Sequence, residues 1–321
     1  MLARQACRRS ISLPRGYVTK GLGQQISRLP IGNIETFREV AFTPSKPCLL
    51  PRNHFANISA VTKWFTSSPQ DDGVAHLNTR YLSRFGSTIV PLEITNEGNF
   101  TQIQQSLSLF LECVTASTST FIPERPNRYF SGFVPGARAI RRTNGTNDFF
   151  SASTLTAPTA RVYLAQASLS NLPQALRDDV PTPDLVLKAG RGDLYETSIW
   201  LGQAPTYTPL HRDPNPNLFV QLAGCKEVRL FPPATGKAIF AYVQEQIGGH
   251  ANATMRGEEM MQGAERKALE AAVWGEVSNY AAKAQCAELE AGDGLFIPKG
   301  WWHSVRGTGE GMTGSVNWWF R

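Results

Sequence analysis

The sequence predicts a mainly β protein with flanking helices, folded as a double-stranded β-helix, or jelly roll. From residue 161 onward the chain consists mostly of short segments with the spacing of β-strands. Turn residues, mainly Gly, Pro, Asn and Asp, separate these segments. A chain of 321 residues with 41% hydrophobic residues can also bury a large core.

Residues 1–34 are predicted to form a tail outside this fold, either a targeting signal or a disordered segment. The tail has no acidic residue, and its basic residues are Arg4, Arg8, Arg9, Arg15, Lys20 and Arg28. An Arg-rich, Ser-containing segment without acidic residues is typical of a mitochondrial transit peptide. We therefore expect the protein in the mitochondrial matrix, with the nucleus or cytoplasm as the alternative.

The net charge of +6 does not indicate binding to nucleic acid. The basic residues of the tail account for the whole excess, so residues 35–321 are close to neutral. A nucleic-acid-binding protein would carry its positive charge on the folded domain, so we expect no direct contact with nucleic acid. No apolar run reaches the roughly 18 residues that a membrane-spanning helix needs, and we expect no membrane association of that kind.

Residues 35–160 are predicted to form an N-terminal part of mixed helix and strand. Hydrophobic spacing predicts a helix over 58–65, a strand over 87–94 and a helix over 103–114. Residues 123–160 are rich in Pro, Gly, Asn, Ser and Thr, which predicts a long loop. Loops of this length in compact domains are often functional rims or lids.

Residues 161–321 are predicted to form the jelly-roll core. Ala223 and Gly224 are expected to turn a hairpin, and the last two strands are expected to form a second hairpin at the C-terminus. A helical insertion is predicted over 255–285, where Glu, Ala, Met and Lys are frequent and Pro is absent. The predicted strands are 161–165, 194–201, 218–222, 227–231, 295–297, 304–306 and 314–320.

Two segments carry candidate metal ligands, Thr208-Pro-Leu-His-Arg-Asp213 and Ile297-Pro-Lys-Gly-Trp-Trp-His303. His211 and Asp213 are two positions apart, so on a strand their side chains share one face. With the distant His303 they make the two-histidine, one-carboxylate set that binds Fe(II) and leaves positions open for a co-substrate and O2. Taken separately, these residues have simpler explanations. Asp213 could begin a turn, and His303 could be a buried core histidine.

Lys226 begins a predicted strand on the same face as Val228 and Leu230. A buried ammonium group without a partner is costly, so a lysine on an apolar face needs an explanation. An acidic co-substrate inside the barrel would pair with it through a charge-assisted hydrogen bond. The alternative is a surface lysine beside a turn.

Together these segments resemble a Jumonji-C domain of the cupin-8 type. The resemblance covers roughly residues 35–321 and is greatest to the small hydroxylases that consist of a Jumonji-C domain alone. These include lysine demethylase 8, also described as an arginyl hydroxylase, and an asparaginyl hydroxylase. The matching segments are Pro47–Pro51, Val90–Glu93, Tyr163–Gln166, Thr208–Pro214, Asn217–Phe219, Lys226 and Gly292–His303.

The resemblance implies a role for each candidate residue. Fe(II) would be bound by His211, Asp213 and His303. The co-substrate 2-oxoglutarate would be held at its distal carboxylate by Lys226 and Thr208. The same pocket would be lined by Tyr163, Asn217 and Asn317. Trp319 shares the face of Asn317 by strand alternation, and it is either pocket wall or plain core.

The resemblance also implies an enzyme in which 2-oxoglutarate and O2 become succinate and CO2 while a substrate C–H bond is hydroxylated. We expect that substrate to be a protein or peptide side chain. The alternatives are an N-methyl-lysine (histone) demethylase, a small-molecule hydroxylase, and a binding module that kept the fold without turnover. The same iron ligands would serve both kinds of oxidation, so they do not decide between these, and the oligomeric state stays open.

Overall fold

The computed structural model describes residues 23–67, 73–96, 99–119, 161–249, 261–276 and 278–321. Its helices are α1 (Ile34–Phe37), α2 (Ser59–Lys63), α3 (Thr79–Leu82), α4 (Leu107–Ser119), α5 (Gln174–Asp178), α6 (Asp184–Lys188), α7 (Pro233–Gln246) and α8 (Gly263–Trp274). A π-helical turn, Arg38–Phe42, continues α1, and 3-10 turns span Ser83–Phe85, Leu169–Asn171 and Ala281–Lys283. No helix of the described residues is long and apolar enough to cross a membrane.

The strands before the core are β1 (Gln24–Gln25), β2 (Cys48–Leu49), β3 (Phe65–Ser67), β4 (Ala75–Leu77), β5 (Ile89–Asn96), β6 (Asn99–Ser106) and β7 (Arg161–Ser168). The core strands are β8 (Leu194–Gln203), β9 (Thr206–Arg212), β10 (Asn217–Ala223), β11 (Cys225–Phe231), β12 (Gln285–Leu289), β13 (Gly294–Ile297), β14 (Trp302–Thr308) and β15 (Met312–Phe320).

These strands form the predicted jelly roll, which confirms the mainly β fold with flanking helices. A five-stranded sheet has the order β1-β12-β11-β14-β9, and an eight-stranded sheet has the order β2-β13-β10-β15-β8-β7-β5-β6. Apolar side chains from both sheets meet in one buried cluster inside the barrel, among them Phe219, Val228, Leu230, Leu295 and Val305. The two sheets therefore enclose an interior whose walls are β10 and β13 on one side and β11 and β14 on the other.

The outer faces of the two sheets are covered by different helices. A large cluster that includes Phe37, Leu185, Ile199 and Trp318 packs the N-terminal helices and α6 against the eight-stranded sheet. A second cluster, including Phe240, Leu269 and Trp302, packs α7 and α8 against the five-stranded sheet. Because helices cover the outer faces of both sheets, the barrel interior opens at the barrel mouth.

Both predicted hairpins are wrong. The strands β10 and β11 flank Gly224 but belong to different sheets, and so do β14 and β15. Gly224 has a positive φ of 64°, and a Cβ there would lie 2.4 Å from the carbonyl oxygen of Met312. The glycine therefore marks a tight crossover between sheets, which places Lys226 in the sheet opposite β10.

The N-terminal boundaries also differ from the prediction. Residues 23–34 are part of the fold, because Gln24 and Gln25 pair with β12 while Ile26 and Leu29 are buried. The predicted helix over 103–114 starts only at Leu107, since Asn99–Ser106 pairs with β5 as a strand. In the predicted insertion, α8 and a 3-10 turn are present and β12 begins at Gln285. The predicted loop over 123–160 lies outside the described residues.

Candidate metal centre

His211, Asp213 and His303 come together at the mouth of the barrel. One ligand atom from each lies within 4.8 Å of the other two, as one metal ion requires. Asp213 has Oδ1 4.0 Å from Nε2 of His211 and Oδ2 3.7 Å from Nε2 of His303. No other group of three or more His, Cys, Asp or Glu residues in the described ranges could hold a metal ion in this way.

The two histidines are directed at the centre by their own backbones. Nδ1 of His211 lies 2.9 Å from the carbonyl oxygen of Pro209, and Nδ1 of His303 lies 3.3 Å from that of Trp301. A hydrogen bond at Nδ1 leaves Nε2 unprotonated and free to bind a metal. Burial, with a smaller contribution from His211, lowers the pKa of His303 to about 4, although Asp213 acts in the opposite direction. The ring is therefore neutral at pH 7, as a metal ligand must be.

Asp213 is fixed by a chain of two amides. Nδ2 of Asn217 donates to Oδ2 of Asp213 at 2.8 Å, and Nδ2 of Asn317 donates to Oδ1 of Asn217 at 3.0 Å. The carboxylate only accepts, so it sets the direction of both amides. Burial alone would raise the pKa of Asp213, but His303, His211 and hydrogen bonds from Trp319 and Asn217 lower it overall.

A β-bulge in β9 puts Thr208 on the same face as the metal ligands. His211 pairs with His303 and Thr208 pairs with Val305, so β9 advances three residues where β14 advances two. An extra residue of this kind reverses the alternation of side chains along the strand. Thr208 therefore faces the barrel interior with Val305, although simple alternation from His211 would turn it outward.

Lys226 lies deeper in the same interior. It pairs with Gly307, whereas His303 pairs with Leu230, so roughly 13 Å of strand separates the two levels. The ammonium group is buried, donates to Oγ of Ser315 at 2.7 Å, and lies 5.3 Å from the centroid of the Phe219 ring. Burial lowers the pKa of Lys226 to about 7, and no carboxylate of the described residues forms an ion pair with it.

Tyr163 lines the interior from β7. It pairs with Gly202, and the absence of a side chain at Gly202 admits the ring, because a Cβ there would lie 2.1 Å from Cδ2 of Tyr163. Burial raises the pKa of the phenol above its usual range, with the nearby Glu93 adding to the effect. The Tyr163 hydroxyl is therefore a neutral hydrogen-bonding group.

The structure thus brings all eight predicted site residues to the barrel interior, and it adds others. Ser315 and Phe219 contact Lys226, and neither was predicted. Trp319, predicted as either pocket wall or core, contacts Asp213 and belongs to the site. Strand alternation could have found Ser315, since it is two residues before Asn317 on the same strand.

Comparison with known proteins agrees with this geometry. Residues 34–321 match the family described as "Cupin-like domain". The chain belongs to this family. It is 31% identical over 163 residues to lysine-specific demethylase JMJ30 of Arabidopsis thaliana, covering 51% of this chain and 34% of that protein.

Two further relatives are a Jumonji-C protein and a second lysine-specific demethylase by name. Jumonji C domain-containing protein 5 of Drosophila melanogaster is 31% identical over 160 residues, which is 49% of this chain and 36% of that protein. Lysine-specific demethylase 8 of Danio rerio is 28% identical over 160 residues, again 49% of this chain and 36% of that protein. The chain spans about a third of the length of these relatives.

Proposed function

We propose that this protein is an Fe(II)- and 2-oxoglutarate-dependent oxygenase that hydroxylates a protein or peptide side chain. One observation carries the proposal: His211, Asp213 and His303 converge at the barrel mouth, and deeper in the same interior lies the buried ammonium group of Lys226, which has no carboxylate partner among the described residues. Two imidazoles and one carboxylate suit Fe(II) and leave coordination positions free. Lys226 suits an acid at the opposite end of the pocket.

The interior fits 2-oxoglutarate in two further respects. The distance between the levels of His303 and Lys226 accommodates their side chains and a short dicarboxylate between them. Thr208 faces this space and would add a hydroxyl donor at the distal carboxylate.

Each side chain has a defined task in this proposal. His211, Asp213 and His303 hold the metal, while Asn217 and Trp319 fix the orientation of the carboxylate. Lys226 and Thr208 hold the far carboxylate of the co-substrate, and Tyr163 closes the pocket beside them. Bound Fe(II), with 2-oxoglutarate and O2, would supply the oxidising chemistry and release succinate and CO2. Because Lys226 is buried, the far end of this site would exclude water and so limit uncoupled oxidation.

Demethylation of N-methyl-lysine is the second candidate, because two of the three relatives described above are named lysine-specific demethylases. The metal ligands would be the same. The two reactions differ in product, since oxidation of an N-methyl group releases formaldehyde and hydroxylation of a side chain leaves an added oxygen atom.

The test is conversion of 2-oxoglutarate to succinate by the full chain, with Fe(II) and without it, beside Asp213→Ala. We expect turnover that needs iron and is lost in the variant. Mass spectrometry of mitochondrial protein extracts then separates added oxygen from lost methyl groups, and a small-molecule product would point to the metabolite alternative. Absence of turnover and of 2-oxoglutarate binding in the iron-loaded protein would leave a binding module instead.

The location in the mitochondrial matrix is part of the proposal and rests on the composition of residues 1–22, which carry five of the six basic residues of the predicted tail. A fluorescent protein fused behind residues 1–22 should enter mitochondria. The same fusion with its arginines and lysine changed to glutamine is the matched control. A nuclear or cytoplasmic signal from the first fusion would reject this location.

A further inference from the structure

The inner face of the eight-stranded sheet extends beyond the metal centre. Register places Trp319 opposite Glu196, Asn317 opposite Ser198, and Ser198 opposite Ser168. Residues paired in this way share a face of the sheet. The wall that carries Asn317 and Trp319 at the metal centre therefore continues sideways over β8 and β7 without interruption.

This extension forms a cleft of about 310 Å³ beside the barrel mouth. Side-chain amides and hydroxyls supply much of its lining, together with apolar residues such as Ile89, Pro91 and Leu172. Glu196 is the one charged residue in its described lining, and no lysine, arginine or histidine lines it there. The polar lining consists mainly of Gln102, Gln104, Gln166, Ser168, Glu196 and Ser198.

A second β-bulge builds the acidic corner of this cleft. Between Tyr163 and Ser168, β7 advances five residues where β8 advances four, from Gly202 to Ser198. Gln166 has a positive φ of 54° within the bulge. The extra residue turns Ser168 to the inner face, where its hydroxyl reaches Glu196.

Glu196 is held in a fixed orientation although it is exposed. Its Oε1 accepts from Oγ of Ser168 at 2.8 Å and from the backbone N–H of Thr197 at 2.9 Å. Oε2 has no partner among the described residues. An exposed carboxylate with one oxygen anchored and the other free presents an oriented acceptor to a ligand, which a freely rotating surface glutamate does not.

We propose that this cleft binds the part of the substrate that flanks the oxidised residue, and that Glu196 selects a cationic side chain there, an ammonium or guanidinium group. The inference rests on the proposed oxygenase function. Glu196 lies one strand away from Trp319, which itself contacts Asp213. A group held at Glu196 therefore lies two strands, or about 10 Å, from Asn217 at the metal centre, the reach of a residue about three positions along an extended peptide. The amides around it can both donate to and accept from a peptide backbone.

The test uses three short alanine-rich peptides that differ at one position, which is Arg, Gln or Glu. Binding to the metal-free full chain is measured by calorimetry for the wild type, for Glu196→Gln and for Glu288→Gln. Glu288 is an exposed glutamate on β12 in the other sheet, so its substitution is a matched control. Uncoupled turnover of 2-oxoglutarate with Fe(II) is measured on the same proteins.

We expect the Arg peptide to bind the wild type at least tenfold more tightly than the Glu peptide. Glu196→Gln should weaken binding of the Arg peptide about tenfold, as the loss of one charge-assisted hydrogen bond does, and should leave uncoupled turnover unchanged. Glu288→Gln should behave as the wild type in both assays.

Equal binding of the three peptides, no binding of any, or an unchanged preference in Glu196→Gln would overturn the inference. In each case normal uncoupled turnover would leave the proposed oxygenase function standing. Loss of turnover in the wild type, with the peptide preference intact, would reject the oxygenase and keep the cleft as a binding site for cationic peptides. Unfolding curves of the three proteins show whether either substitution alters folding.

Discussion

Replacing Lys226 with methionine should make the protein more stable and remove its co-substrate binding. The buried ammonium has no carboxylate partner in the described structure, and its pKa falls from 10.5 to about 7. At pH 7 or below, that difference corresponds to about 5 kcal/mol of lost folding free energy. Methionine fills a similar volume without charge, but it leaves the Ser315 hydroxyl unpaired at about 1–3 kcal/mol. The net gain should therefore be about 2–4 kcal/mol at pH 6.5.

The pH dependence of this gain distinguishes desolvation from simple repacking. Between pH 7 and 10.5 the folded protein has lost the Lys226 proton while the unfolded chain still holds it, so wild-type stability rises with pH over this window. The methionine variant lacks that rise. Its advantage should be largest at pH 6.5 and close to zero at pH 9.5.

Urea unfolding at the two pH values measures both quantities, with Lys237→Met as the control at an exposed lysine on α7. A Lys226→Met protein that is less stable than the wild type at pH 6.5 would refute the reasoning. So would a gain of the same size at both pH values, since desolvation of a charge cannot produce it.

Three further predictions concern the site. Asn217→Ala removes the amide that orients Asp213, so it should weaken Fe(II) binding about 10–100-fold in a competition assay. Unchanged Fe(II) affinity would show that Asn217 does not orient the metal ligand. Gly202→Ala places a methyl group 2.1 Å from the Tyr163 ring, so it should displace the ring and raise the KM for 2-oxoglutarate. A lowered Tm with an unchanged KM would mean that the Tyr163 ring does not line the pocket. Affinity for 2-oxoglutarate, measured by calorimetry, should fall by up to about tenfold per pH unit above pH 7, because the dianion requires protonated Lys226. A flat profile from pH 6 to 9 would contradict the placement of the co-substrate at this lysine.

The metal ligands could be predicted from the sequence because their geometry depends only on strand alternation. His211 and Asp213 are two residues apart, and β14 brings His303 opposite His211. Lys226 followed from the same rule, since it shares the buried face of Val228. Periodicity of two is a local property, so a single segment is sufficient to show it.

Strand alternation alone does not predict the position of Thr208. Alternation from His211 places it on the outer face, and only the bulge in β9 returns it to the interior. Ser168 depends on a bulge in the same way. A bulge is set by how two strands pair, so the sequence of one strand does not reveal it.

The sheet topology was missed for a related reason. Two strand-like segments around Gly224 predict a hairpin by local pattern, yet the packing of the two sheets assigns each strand to a different sheet. Gly224 forms a turn, as its sequence predicts, but this turn connects two different sheets. Burial of Ile26 and Leu29, which makes residues 23–34 part of the fold, likewise depends on distant contacts with β12 and β2.

The most direct test of the account measures binding of 2-oxoglutarate to the full chain without oxygen, with Fe(II) and without it. Asp213→Ala and Lys226→Met each remove one end of the site. We predict tight binding of 2-oxoglutarate only when iron, Asp213 and Lys226 are all present. The metal centre and Lys226 would hold opposite ends of this small molecule. Binding of equal strength without iron, or in either variant, would contradict it.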